Sequence, residues 1–121
     1  MNKAQYLEEF KALTDRMYEI TKAKNSDYSG NSEEPFKNFT MVETMGFATT
    51  KQGFCTRMTD KMMRIAGFVK NGTLQVKDES VEDTLLDCAN YCLLFICYLR
   101  SKRAVDNLTT NKPPEVYSER I

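Results

Sequence analysis

Carboxylates recur at helical spacing in the second half of the sequence, where they could hold a cation. Glu79, Asp83 and Asp87 follow one another at intervals of four residues, and Asn90 comes three residues later. At about 100° per residue, these side chains share one narrow stripe of a helix. The segment 92–99 that follows is almost wholly apolar, which is typical of a helix in the middle of its domain. We therefore expect the stripe to face inward, where carboxylates need a cation, hydrogen-bond donors or a metal.

A second interpretation of the first acids involves no function. Ser80 followed three residues later by Asp83 is a helix-start signature, and acids in a first turn favour the helix dipole. Capping alone could explain Glu79, Glu82 and Asp83. It does not explain Asp87, which lies beyond the first turn, so Asp87 is the stronger functional candidate.

A cluster of charges precedes this helix. Arg57, Lys61 and Arg64 recur at helical spacing, with Asp60 among them. These cations suit phosphate oxygens, and Asp60 is either a metal ligand or an ion-pair partner. All-oxygen ligands favour Mg²⁺ or Mn²⁺, and Mg²⁺ typically takes one or two carboxylates together with substrate phosphates. The alternative is a solvated helix face of mixed charge.

Two further segments combine amides with aromatic rings. The first supplies a cation, an amide, an acid and a ring as Lys24, Asn25, Asp27 and Tyr28, and the second places Asn38 between Phe36 and Phe39. A base-binding pocket needs rings that stack and amides that bond to the edge of the base. An ordinary loop docked on a core has the same composition, so both interpretations stay open.

Helices must position all of these residues, because no segment shows the sustained alternation of a strand. Apolar residues on the first and third helices recur at three- and four-residue steps and are expected to pack in the core: Leu7, Phe10, Leu13, Met17 and Ile20, then Phe54, Met58, Met62, Ile65 and Val69. Turn formers fill residues 24–32, and Gly46 and Asn71-Gly72 are stop signals. The predicted fold is an all-α helical bundle of three long helices (about 3–24, 49–70 and 80–103) and one short helix. The short helix is expected to follow a connection that includes residues 36–39 and to end near Met45.

Length and charge limit the classes of function. The 121 residues predict one domain, 1–103, followed by a polar tail, 104–121. Seventeen basic and seventeen acidic side chains cancel, so no net field attracts a nucleic acid polymer or an anionic membrane. The apolar run 93–99 is too short to span a membrane, and the absence of a secretion signal predicts a cytoplasmic protein. The four cysteines are expected to be reduced thiols in the core, and with no histidine there is no common zinc site.

Four motifs occur in order along the chain. They are Lys-Asn-x-Asp-Tyr-x-Gly at 24–30, Phe-x-Asn-Phe at 36–39, Arg-Met-x-Asp-Lys-x-x-Arg at 57–64 and Lys-Asp-Glu-Ser-x-x-Asp-Thr-Leu-Leu-Asp-x-Ala-Asn-Tyr at 77–91. Together they resemble the nucleotide modification associated domain 1 family, small proteins often encoded by bacteriophages. That family is similar, more distantly, to the MazG-like all-α nucleoside triphosphate pyrophosphohydrolases. The resemblance covers roughly residues 5–100.

The resemblance implies a Mg²⁺- or Mn²⁺-dependent pyrophosphohydrolase that acts on a (deoxy)nucleoside triphosphate. It also implies a cytoplasmic location, which is the host cytoplasm if a phage encodes the protein. It implies catalytic roles for Asp83, Asp87 and Lys61, and a metal held by Asp83 and Asp87 with Glu79 and Asp60. The residues implied to bind substrate are Lys24, Asp27, Tyr28, Asn38, Arg57, Arg64 and Asn90. MazG-like enzymes carry Glu-x-x-Glu on one helix and Glu-x-x-Asp on the next. In this chain the third helix has only Asp60 in the matching region, and the fourth has Asp83-x-x-x-Asp87, at a different spacing.

Two alternatives come from other classes of protein. One is a non-catalytic protein that binds, sequesters or senses a nucleotide, and the other is a structural helical interaction protein whose acids serve capping and ion pairs. In each case the apolar circumference of residues 88–99 predicts a homo-oligomer, most simply a two-fold dimer. MazG-like proteins are generally dimers or tetramers, so the resemblance implies the same. The expected interface includes the fourth helix or the methionine-rich side of the third, around Met58 and Met62.

Overall fold

The computed structural model describes residues 1–29, 33–73 and 80–110, and every regular element within them is an α-helix. Helix α1 spans Lys3–Ser29, α2 Lys37–Thr44, α3 Thr50–Asn71 and α4 Val81–Thr110. The prediction of an all-α fold with three long helices and one short helix is confirmed. The tail predicted at 104–121 is helical as far as residue 110, and its remainder lies outside the described residues.

Local capping explains where several helices begin and end. Thr49 and Gln52 form a reciprocal capping box at the start of α3, in which the Gln52 backbone N–H donates to Thr49 Oγ1 across 3.1 Å. Gly72 ends α3 with a φ of +78°, a left-handed conformation that glycine adopts without a steric penalty. Ser80 Oγ accepts from the Asp83 backbone N–H across 3.0 Å, so the predicted helix start at Ser80 is confirmed.

Three predicted boundaries are wrong. Helix α1 continues five residues beyond Lys24, through a segment predicted as turn; α2 begins at Lys37, so Asn38 and Phe39 are helical; and α4 extends to Thr110 rather than Arg103. The amide of Asn25 contributes to the first difference. Turn formers disrupt helices by bonding to their own backbone, but Asn25 Nδ2 instead donates to the Pro35 carbonyl, 2.8 Å away.

Stacked aromatic rings form the centre of the core. Phe39 of α2, Phe54 of α3 and Tyr98 of α4 are buried, and Phe54 is fully so. The Phe54 ring stacks against Phe39 at a centroid distance of 4.6 Å and against Phe95 at 4.7 Å. A series of near-parallel rings therefore joins the second, third and fourth helices.

Helix α2 lies close against α3, and this contact sets the position of Asn38 and Phe39. A Cβ atom added at Gly53 would approach Val42 Cγ1 to 3.0 Å, which leaves no room for a larger side chain without a shift of the neighbour. Along the same contact, Arg57 Nη2 donates to the carbonyl oxygen of Asn38 across 3.1 Å. The short helix is thus held by packing and by a hydrogen bond from its longer neighbour.

Several apolar residues predicted to lie in the core are exposed in the single chain. Leu7, Phe10 and Leu13 of α1 are 40–58% exposed, and Met62 and Val69 of α3 are 53% and 76% exposed. The side-chain hydrogen bonds from α1 to other helices involve Arg16, at the midpoint of the helix, and Thr21, in its second half. The first half of α1 therefore has no such anchor among the described residues.

The fourth helix and the cysteines are also less buried than predicted. Leu85, Leu93 and Ile96 of α4 are 45–48% exposed, because α3 and α1 cover only part of its circumference. All four cysteines are free thiols, but Cys55, Cys92 and Cys97 are exposed, so the prediction that they pack in the core is wrong for these three. Cys88 is half-buried, and burial, with a smaller contribution from Cys92, raises the pKa of its thiol.

In the described part of the chain, none of the helices combines the length and apolar character that crossing a membrane requires.

Candidate functional site

A pocket of about 240 Å³ opens between the four helices. Helix α1 supplies four of the lining residues and α4 another four, while α2, α3 and the segment before α2 complete it. The lining consists of Thr21, Lys24, Asn25 and Tyr28; Asp87, Asn90, Tyr91 and Leu94; and Pro35, Asn38, Phe39 and Arg57. Residues far apart in the sequence thus form one concave surface that mixes charge, amides and rings, as small-molecule sites do.

The pocket brings together six of the residues predicted to be catalytic or to bind substrate, namely Lys24, Tyr28, Asn38, Arg57, Asp87 and Asn90. Lys61 does not line the pocket but contacts Asp87, which does. Asp27, Asp60 and Arg64 are exposed and lie outside the lining, as does Asp83. Glu79 lies outside the described residues.

Arg57 is held in place by neutral groups. Its guanidinium donates to the Asn38 carbonyl, as described above, and its carbon Cζ lies over the Phe39 ring, 4.5 Å from the centroid. No carboxylate of the described residues pairs with Arg57, or with Lys24, which also lines the pocket. The positive charge of both side chains therefore remains available to a ligand.

Asp87, by contrast, is already paired. Lys61 Nζ lies 3.0 Å from Asp87 Oδ2, and the two side chains are only 17% and 27% exposed. The partner comes from α3 and the acid from α4, so the ion pair also links these helices. Because its charge is balanced, Asp87 adds little net negative charge to the pocket.

Asp83, one turn before Asp87, serves the helix start and an ion pair. Arg16 Nη2 of α1 lies 2.7 Å from Asp83 Oδ1. Hydrogen bonds from Ser80, and then the Arg16 guanidinium, hold the pKa of the Asp83 carboxyl below its usual value. The capping interpretation therefore accounts for Asp83, with an interhelical ion pair added to it.

The metal-binding interpretation finds no assembled ligand set among the described residues. No three histidine, cysteine or acidic side chains of residues 1–29, 33–73 and 80–110 lie close enough together to hold a metal ion. Asp83 and Asp87 each contact a cation instead, and Asp60 is exposed. Glu79, the remaining predicted ligand, is not among the residues described. We therefore derive no reaction step through a metal, and Mg²⁺ stays a prediction.

Two carboxamides of the pocket lining are anchored by hydrogen bonds to the protein. Thr21 Oγ1 of α1 donates to Asn90 Oδ1 of α4 across 2.9 Å in a partly buried position. Asn25 Nδ2 donates to the Pro35 carbonyl across 2.8 Å. Each amide uses one of its two polar atoms on the protein and keeps the other for a ligand.

Aromatic rings form the remaining surfaces of the pocket. The Phe39 and Tyr91 rings meet nearly at right angles, at 87° and a centroid distance of 6.4 Å. Tyr28 of α1 is exposed and contributes a third ring to the lining. Flat faces beside hydrogen-bonding amides suit a planar heterocycle, which can stack on a ring and pair through its edge.

The sequence-based prediction missed Thr21, Tyr91, Pro35 and Leu94 as pocket residues. The signal was present in the spacing. Thr21, Asn25 and Tyr28 lie four and three residues apart and share one face of a helix, but only if the helix continues beyond Lys24. Asp87, Asn90, Tyr91 and Leu94 follow the same spacing on α4.

Comparison with known proteins identifies no relative. No protein-family model, no curated protein and no solved structure matches the chain significantly. The pocket and the sequence motifs are therefore the features that indicate a function.

Proposed function

We propose that this protein binds a nucleotide in the pocket between its four helices. The observation that carries the proposal is the position of Arg57. It borders the pocket without a carboxylate partner among the described residues, in the same lining as Lys24 and over the aromatic ring of Phe39. A ligand that is anionic at one end and planar at the other fits this combination.

The charges of the pocket favour an anion. Three charged side chains line it: Lys24, Arg57 and Asp87. Since Lys61 balances Asp87, the net charge offered to a ligand comes from the two cations. Phosphate groups accept hydrogen bonds from a guanidinium in a bidentate manner and interact with an ammonium as a point charge, so these two residues suit a phosphorylated ligand.

The size of the pocket favours a mononucleotide over a polymer. A volume of about 240 Å³ lies just below the range of about 300–1,000 Å³ that is usual for small-molecule sites. It suits a base with its sugar, with the phosphates extending towards Lys24 and Arg57.

The proposed location is the cytoplasm, because nucleotides are cytoplasmic metabolites. If a phage encodes the protein, this is the cytoplasm of its host.

Calorimetry and thermal unfolding with the four common deoxynucleoside triphosphates test the proposal. At a hundredfold excess over the Kd, a ligand that binds only the folded state adds about 2.7 kcal/mol of stability. Arg57→Gln should weaken binding by tenfold or more, on the order of the loss of one charged hydrogen-bonded contact. Arg100→Gln, at an exposed position of α4 outside the lining, is the matched control and should bind normally. Equal affinities of both variants would contradict the proposal.

Metal-dependent hydrolysis of a nucleoside triphosphate is the second candidate for the same site. The observation that favours it is the place of Asp87, a carboxylate in the same lining as the two cations. The nucleotide panel should be repeated with Mg²⁺ or Mn²⁺ and assayed for released pyrophosphate. If Asp87 holds the metal, the cation alone raises the melting temperature and Asp87→Asn abolishes the increment. Binding without any product favours the non-catalytic protein, and no thermal shift with any nucleotide favours a structural helical partner.

We also propose that the protein forms a homo-oligomer, most simply a two-fold dimer. The support is the number of exposed apolar side chains on α3 and α4: Met62, Met63, Val69, Leu85, Leu93 and Ile96. Met58, which the sequence also placed at the interface, is half-buried within the chain. Exposed apolar groups on two neighbouring helices favour association with a second copy. Light scattering at low micromolar concentration tests this directly, and a monomer mass with full nucleotide binding would refute it.

A further inference from the structure

We infer that Thr21 is a positioning residue, which orients the Asn90 amide so that Asn90 and Asn25 together recognise the hydrogen-bonding edge of a nucleobase. The inference rests on the proposed function and deepens it, because it assigns recognition of the base to the α1 and α4 side of the pocket. The cations that suit phosphate are separate residues, Lys24 and Arg57.

The orientation of Asn90 follows from its contact with Thr21. The Thr21 hydroxyl donates to Asn90 Oδ1 across 2.9 Å, in a partly buried position between α1 and α4. A carboxamide is planar, so fixing its oxygen also fixes the direction of its NH₂ group. Asn90 borders the pocket and therefore offers a ligand a hydrogen-bond donor.

The orientation of Asn25 is opposite, and chemistry alone decides it. Its amide contacts the Pro35 carbonyl across 2.8 Å, and a carbonyl oxygen can only accept a hydrogen bond. The contacting atom must therefore be Asn25 Nδ2, which leaves Oδ1 as an acceptor. Asn25 also lines the pocket, so it offers a ligand the complementary polarity.

One oriented donor and one oriented acceptor distinguish a base from a phosphate. Each nucleobase carries a donor and an acceptor on neighbouring atoms of its pairing edge, as in the amino group and ring nitrogen of cytosine or adenine. A phosphate has only acceptors and leaves Asn25 Oδ1 without a partner. A base can therefore use both amides, whereas a phosphate can use only the Asn90 donor.

The test compares two threonines of the same helix. Thr21→Val removes the hydroxyl at nearly constant shape. Thr14→Val is the matched control, because the Thr14 hydroxyl donates to the Lys11 carbonyl of its own helix across 2.9 Å and Thr14 lies outside the lining. The probes are the four deoxynucleoside triphosphates and inorganic tripolyphosphate, which has the charge without a base. Calorimetry gives each Kd.

We expect Thr21→Val to weaken binding of the preferred deoxynucleotide by about tenfold, the effect of one lost hydrogen bond of ordinary strength. Its affinity for tripolyphosphate and both affinities of Thr14→Val should stay within about twofold of the wild type. An unchanged deoxynucleotide affinity in Thr21→Val would overturn the inference. An equal loss for deoxynucleotide and tripolyphosphate would also overturn it, since Thr21 would then act on the pocket as a whole.

Asn90→Asp provides an independent test that keeps the hydroxyl contact. A carboxylate oxygen can still accept from Thr21, but the donor towards the ligand becomes an acceptor. The added negative charge should weaken binding of both ligands, but only the deoxynucleotide also loses a contact with its base. The ratio of the Kd for tripolyphosphate to the Kd for the preferred deoxynucleotide should therefore fall. Retained discrimination would overturn the inference. If wild-type protein binds neither probe, the proposed function itself fails, and this result differs from every outcome above.

Discussion

Removing both partners of the ion pair between Lys61 and Asp87 should destabilise the protein by less than the sum of the two single losses. Each side chain lies largely out of water, and Lys61→Met or Asp87→Asn leaves the opposite charge without this partner. The double variant removes both charges of this pair together, so neither is left without the other. The free energy of unfolding of the double variant should therefore lie well above the value expected from adding the two single losses.

The exposed fractions of the two side chains set the magnitude. Pairs in full contact with water contribute about 0.2–1 kcal/mol, whereas removing one partner of a fully buried pair costs about 3–5 kcal/mol. At 17% and 27% exposure, Lys61 and Asp87 lie between these limits. We expect each single variant to lose about 2 kcal/mol and the coupling energy to be about 1–2 kcal/mol.

Urea unfolding of the wild type, the two single variants and the double variant gives the coupling energy as a double-mutant cycle. The chain contains a matched control in Lys11 and Asp15, whose ion pair has a similar length of 2.9 Å but side chains that are 78% and 64% exposed. Its coupling energy should be clearly smaller, because water screens an exposed pair of this kind. A coupling energy for Lys61 and Asp87 no larger than that of the control would refute the reasoning that burial strengthens this pair.

Three further predictions concern the core, the acid stripe and the cysteines. Phe54→Ala should cost about 3–5 kcal/mol in urea unfolding because the ring is fully buried, whereas Phe10→Ala, at a position 58% exposed, should change the free energy of unfolding of the monomer by less than about 0.5 kcal/mol. The pKa of Asp83 is lowered in the folded state, so its ionised carboxyl stabilises the fold above the ordinary aspartate pKa of about 4, and this stability is lost as the pH falls below that value. The melting temperature of Asp83→Asn should therefore decline less steeply than that of the wild type in this acidic range. An unchanged profile would contradict the prediction. Iodoacetamide should modify exposed Cys55 faster than Cys88, because burial raises the pKa of the Cys88 thiol and leaves less of the reactive thiolate. Mass spectrometry of peptides gives the order of modification, and faster modification of Cys88 would contradict the prediction.

The helical fold could be predicted from the sequence because its signals are local. Apolar residues at three- and four-residue steps predicted α1 and α3, and the helix-start signature at Ser80 with the apolar run 92–99 predicted α4. Gly72 marks the end of α3 as expected. The end of α1 could not be predicted in this way. Asparagine is a common turn residue, but the Asn25 amide forms a hydrogen bond with Pro35, ten residues away. Helix propensity describes single residues and contains no information about such a contact.

The candidate site was predictable only in part, for a similar reason. The stripe from Asp83 to Asn90 is visible in the sequence, but the partner of each acid is not. Arg16 is 67 residues from Asp83, and only the packing of α1 against α4 brings the two together. The same packing places Thr21 beside Asn90, so the orientation of that amide is a tertiary property.

Phe39 belongs to two parts of the molecule at once, and this restricts how the protein can diverge during evolution. Its ring stacks on fully buried Phe54, and the same ring borders the pocket beneath Arg57. A substitution that reshapes the pocket at Phe39 also weakens the core, so selection for a new ligand is opposed there by selection for stability. Asn25 and Asn90 carry no such double role in the aromatic stack. Paralogues with altered ligand preference should accordingly differ on the α1 and α4 side of the pocket and keep the α2 and α3 side unchanged.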